Sequence, residues 1–246
     1  MNTPTRGTAV TLLVLATALT GCSLPADDST RSAAGGPASA ATAQNTLDRL
    51  TVKNPGAMSG YDREGAFGPA WSDTTTAPGS KNACDTRNDI LHRDLDRIRL
   101  KGTSRCVIAA GVLADPYTGK RISFVRGPQS ARVQIDHVVA LAAGWRTGAA
   151  RLTQEGRRAL SNDPLNLVAA DGPTNAAKSD ADAAAWLPPR ASFRCAYVAR
   201  QIAVKAKYGL WITPPEKAAM TRVLAGCPSQ PLPGDTSEGV VLPDPT

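Results

Sequence analysis

Two histidines, His92 and His137, are all that this chain of 246 residues contains. A three-histidine metal site is therefore excluded. A Ser-His-Asp hydrolase would have one usable histidine, but no G-x-S-x-G motif accompanies it. No C-x-x-C pair occurs either, which argues against a cysteine-ligated zinc site. Aromatic residues make up only 4% of the chain, so a core must rest mainly on aliphatic side chains, with apolar residues at 42%. There is no internal repeat. The apolar run Ala9 to Leu19 has eleven residues, too few to span a bilayer, which takes about 20.

What is present begins with that run. Arg6 precedes it, and Leu19-Thr20-Gly21-Cys22 closes it in a pattern that resembles a bacterial lipobox. Residues 1–22 read as an export signal. Lipidation of Cys22 would make the membrane surface a partner; an ordinary secretory signal is the alternative. Residues 23–46, rich in Ala, Ser, Thr, Gly and Pro, read as a flexible linker. Residues 47–228 read as one α+β domain, and 229–246 as a disordered Pro-rich tail. The net charge is +7, but Leu47 to Pro228 alone holds 26 basic and 16 acidic residues. A basic body with acidic ends suits a polyanion such as nucleic acid, or an anionic membrane. Nothing points to a protein partner or to more than a monomer.

Without Cys22, four cysteines remain in an exported protein, an even number that suggests disulfides. A helix hairpin, 192–208 then 214–225, would bring Cys195 and Cys227 together. That favours Cys195–Cys227 and leaves Cys84–Cys106. Along the chain, apolar spacing predicts a helix over 86–100. Strands at 105–113 and 121–125 flank the turn D-P-Y-T-G (Asp115 to Gly119) as a β-hairpin. A strand at 133–135, helices from 138 to 145 and 153 to 160, a strand at 165–169 and a helix from Thr174 to about Trp186 complete the middle.

The chemistry concentrates in that middle. V-Q-I-D-H-V-V (Val133 to Val139) ends a strand on Asp136-His137. N-D-P-L-N-L-V (Asn162 to Val168) turns into the next strand at Asn166. T-N-A-A-K-S-D (Thr174 to Asp180) opens a helix with Asn175 and, roughly a turn later, Lys178. Phosphodiester hydrolysis needs one hard cation and one base. Asp136 and the Asn175 amide offer oxygen ligands, and His137 is the base available near neutral pH.

This stretch, Val133 to Pro189, resembles the HNH (ββα-metal) endonuclease superfamily. With G-Y-D-R (Gly60 to Arg63), C-D-T-R-N-D-I-L (Cys84 to Leu91) and V-K-A-K-Y-G-L-W (Val204 to Trp211), Gly60 to Cys227 resembles an exported branch related to the C-terminal domain of GmrSD-type restriction enzymes. The resemblance implies a ββα-metal core with extra helices. It also implies a metal-dependent endonuclease acting on nucleic acid, DNA before RNA. Asp136 and Asn175 would hold one divalent cation, Mg²⁺ first, with Mn²⁺ or Zn²⁺ as alternatives. His137 would be the general base, and Asn166 would brace the loop around it. Lys178 would contact phosphate. Arg87 is either half of a helix-start pair with Asp89 or a second phosphate contact. The first and last histidines of many HNH members are Asp136 and Asn175 here, which favours oxygen-loving cations. A non-catalytic surface protein that keeps the ββα fold is the rival reading.

Overall fold

Two short strands with strictly alternating surroundings hold the molecule together. The computed structural model describes residues 42–233. The helices are α1 (Ala43–Arg49), α2 (Arg63–Phe67), α3 (Thr86–Asp94), α4 (Leu141–Arg146), α5 (Gln154–Asn162), α6 (Gly172–Lys178), α7 (Arg194–Lys207) and α8 (Pro214–Ala225). The strands are β1 (Leu95–Leu100), β2 (Ile108–Ala114), β3 (Arg121–Val125), β4 (Val133–His137) and β5 (Leu167–Asp171). β4 and β5 pair antiparallel, Val133 opposite Asp171 and His137 opposite Leu167.

Successive side chains of a strand point to opposite faces. Val133, Ile135, Leu167 and Ala169 therefore face one core, shared with Ile90 and Leu91 of α3 and with Ile108, Leu113 and Phe124 of the sheet β1-β2-β3. Val168 and Ala170 face a second core with Tyr197 and Ile202 of α7 and Met220 and Leu224 of α8. Burial on both faces explains why 167–170 reads as an unbroken apolar run. Both disulfides are the expected ones, Cys84–Cys106 and Cys195–Cys227. The second ties the start of α7 to the residues after α8.

Several boundaries differ from the sequence expectation. The helix predicted over 86–100 ends at Asp94, and Leu95–Leu100 is an added strand, so the β-hairpin is the outer part of a three-stranded sheet. Ile90, Leu91, Leu95 and Ile98 mimic helical spacing, but tertiary bonds stop the helix. The Asp94 carboxylate accepts the Ala169 N–H at 2.7 Å and the Arg93 guanidinium. The helix from Thr174 ends at Lys178, because Ser179 turns to φ 53 and Asp182 caps a following turn at Ala184. The helix expected from Val138 starts at Leu141, because the amides of Val138 and Val139 bond to Asn166 instead. α1 begins ahead of Leu47, inside the expected linker, and its Ala43 N–H bonds to Gln230 O at 2.9 Å. Leu232 packs on the core, so order continues into the expected tail. Cys22 and the leader lie outside the described residues. No helix among the described residues is long and apolar enough to cross a membrane.

Candidate active site

Asp136 and Gln134 share one face of β4, and α6 lies across that face. The approach is close: a Cβ on Gly172, the first residue of α6, would stand 2.0 Å from Ala131 O. Asp171 caps the helix by accepting the Thr174 N–H at 3.0 Å. Asn175 and Lys178 are thereby set against the two β4 side chains. Asn175 is half-buried and donates through Nδ2 to Gln134 Oε1 at 2.8 Å. Its Oδ1 accepts no hydrogen bond among the described residues.

Lys178 has a different place from the one expected. It is fully buried, with Nζ 2.9 Å from Asp136 Oδ1 and 2.9 Å from the His137 carbonyl. A side chain so enclosed does not reach a phosphate; it neutralises Asp136. The second carboxylate oxygen, Oδ2, accepts the Tyr117 hydroxyl at 2.5 Å. Burial pushes the Asp136 carboxyl up, and Lys178 and Tyr117 act against that rise. Tyr117 comes from D-P-Y-T-G. That turn is fixed by Asp115, which accepts the Thr118 N–H and hydroxyl and, through Oδ1, the Asp171 N–H at 3.0 Å. A residue of the hairpin turn thus touches the site, and the turn motif was its one signal in the sequence.

His137 is 7% exposed. Its Nε2 lies 2.9 Å from the Ser161 carbonyl. A carbonyl only accepts, so Nε2 carries the proton and Nδ1 keeps its lone pair. Burial lowers the pKa to about 3, so the ring is neutral at ordinary pH. Trp71 lies nearly parallel to it, with centroids 5.8 Å apart at 11°. Asn166 is fully buried behind the loop that follows His137. Its Oδ1 accepts the Val139 N–H at 2.9 Å, its Nδ2 donates to the carbonyls of Val139 and Leu160, and its own carbonyl accepts the Val138 N–H.

A hollow of about 450 Å³ joins these groups: Asp136, His137, Gln134 and Asn175 line it together with Arg87 and Arg63. Arg87 is half-buried, donates to the Val133 carbonyl at 3.2 Å, and has its pKa lowered by burial and by Arg126. It does not pair with Asp89, which accepts from Asn82 instead. Arg63 is exposed, and only its place in G-Y-D-R marks it in the sequence. Much of the remaining basic charge is structural. Arg200 is held by the carbonyls of Pro164 and Leu165, and Lys205 is buried against Glu216 at 3.1 Å. Those two basic side chains of α7 are therefore committed to the fold.

A family model described as GmrSD restriction endonucleases, C-terminal domain, matches residues 85–223, which include Asp136, His137, Asn166 and Asn175. The chain belongs to this family. A protein of Arthroderma benhamiae described as an uncharacterized secreted protein is 37% identical over 191 residues, covering 77% of this chain and 86% of that one. Arg63 and Trp71 precede the matched span of the GmrSD-type domain, yet both reach its histidine through the hollow.

Proposed function

We propose that this GmrSD-type domain is an exported, metal-dependent endonuclease of the HNH class, held at the membrane by a lipidated Cys22. The observation that carries the reading is the pinned His137 tautomer: a neutral imidazole with no proton on Nδ1, in a hollow that it lines with the carboxylates of Asp136 and Asp180, the amides of Gln134 and Asn175 and two arginines. The donor set fits a hard cation that keeps several waters. Asp136 accepts from Lys178, Tyr117 and the His137 amide, three bonds against about four lone-pair sites, and Asn175 Oδ1 accepts nothing among the described residues. Such a cation, Mg²⁺ before Mn²⁺ or Zn²⁺, would offset charge on the scissile phosphate and the leaving oxygen. Zinc prefers nitrogen and sulfur donors, which this pair does not offer.

His137 Nδ1 takes a proton from the attacking water. The water oxygen bonds to phosphorus as the bond from phosphorus to the 3′ oxygen breaks. Arg63 and Arg87 hold the phosphate without reading bases. Asn166 and Ser161 act through His137, fixing its loop and its ring. DNA is the first substrate to try, and RNA the second.

The test is nicking of plasmid DNA by purified protein in Mg²⁺, Mn²⁺, Zn²⁺ or EDTA. Cleavage in at least one metal, lost in EDTA and lowered about 10²- to 10⁴-fold by His137→Ala, is the expected result. No cleavage of plasmid, single-stranded DNA or RNA in any metal would leave a non-catalytic ββα binding protein.

A further inference from the structure

His137 stands between two hollows. Beside the one that holds Asp136 and Arg87 lies a second, of about 420 Å³, and Arg63, Trp71, His137 and Leu141 line both. The two differ in chemistry. The second is walled by Phe67, Pro69, Trp71 and Leu141, and its charged rim is mainly acidic, with the exposed Asp62 and Glu64 beside the shared Arg63. With two acids to one base, that rim favours a flat uncharged ring with amino groups over a second anion. Trp71 has φ 62, a conformation costly for a bulky side chain. Its carbonyl accepts the Thr86 N–H at 3.2 Å, which ties it to the first turn of the helix that carries Arg87. The strained residue therefore holds an indole beside the catalytic ring.

We propose that the second hollow receives the nucleobase next to the scissile phosphate, turned out of its stack, so that single-stranded or unpaired nucleic acid is the preferred substrate. The inference rests on the nuclease reading for the position of the phosphate. Stacking on an aromatic wall is tolerant of base identity, so the site selects an unpaired base and not a sequence. A duplex must first unpair and unstack a nucleotide to fill it.

The experiment uses the full chain with its disulfides intact. A labelled single-stranded oligonucleotide, trimmed to the shortest length that still binds so that only one register is available, is compared with a series in which one abasic residue moves along the strand. Binding is measured by fluorescence anisotropy in EDTA, and cleavage after Mg²⁺ is added. One abasic position should weaken binding about tenfold and slow cleavage of the adjoining bond. Ala70→Trp fills the hollow from an exposed rim position. It should weaken binding of the intact strand to the same degree and leave the abasic strand unchanged. A blunt duplex should bind more weakly than the single strand. Equal binding of every abasic strand, or tighter binding of the duplex, would overturn the inference. Failure of the nuclease reading looks different: no cleavage in any metal, while the single-position penalty persists. Absence of binding to every strand would overturn both.

Discussion

Lys178 Nζ lies 2.9 Å from Asp136 Oδ1, with the lysine fully enclosed and the aspartate 5% exposed. Removing one partner of a buried pair leaves an uncompensated charge, at a cost of about 3–5 kcal/mol. Lys178→Met should lower stability by that order in chemical denaturation. Adding Asp136→Asn should restore much of the loss, since no charge is then stranded. A single variant as stable as the double would show that the pair does not carry this energy.

Asp89 gives the clearest pH dependence. Burial raises its pKa to about 7, although the Asn82 amide hydrogen bond lowers it. The folded-state pKa lies above the unfolded one, so the folded state binds the proton more tightly. Its contribution to stability is complete below about pH 4 and is lost as pH rises through about 7. Asp89→Asn keeps the acceptor for Asn82 and removes the charge. Thermal unfolding from about pH 4 to about pH 9 should show the variant gaining on wild type between about pH 4 and about pH 7 and holding a constant advantage above that.

Gly172 offers a steric test of how α6 is seated. A Cβ there meets backbone 2.0 Å away, so the helix must move. Gly172→Ala should cost about 1–3 kcal/mol and displace Asn175. Nicking measured well below the melting temperature should fall by more than the folded fraction does.

Arg63 and Arg87 should be told apart from Lys178 by salt. Each arginine is proposed to meet a phosphate, so Arg63→Ala and Arg87→Ala should each reduce the slope of log K against log salt by about 1. Lys178→Met should leave the slope unchanged, because an enclosed ammonium releases no counterion on binding. A shallower slope in that variant would return Lys178 to the surface.

The parts of the fold governed by local chemistry were readable from the chain. The turn at Asp115 to Gly119, the strand Val133 to His137, the two C-terminal helices and the disulfide pairs follow from proline, glycine, alternation and cysteine spacing. Elements ended by distant partners were not. Nothing near Asp94 in sequence announces that its carboxylate will bind the Ala169 amide, and so α3 reads through into β1. The same holds at the site. Asp136, His137 and Asn175 stand in recognisable motifs and line one hollow. Lys178 stands in such a motif too, but only the packing of α6 on β4 reveals that it faces inward. Tyr117, Arg63 and Trp71 reach the site from far along the chain, where periodicity carries no information about which residues will converge.

The loop from Pro164 to Leu167 is gripped from two sides. Arg93, at the end of α3, donates to the carbonyls of Pro164 and Leu167, and Arg200, in the middle of α7, to those of Pro164 and Leu165. Asn166, which fixes the loop behind His137, sits inside that grip. The strand-strand-helix unit is therefore not a cassette that can be cut out and grafted onto another scaffold. Transplanted without the segments that supply the two guanidinium groups, it would carry the right letters on a loop with nothing to hold its shape.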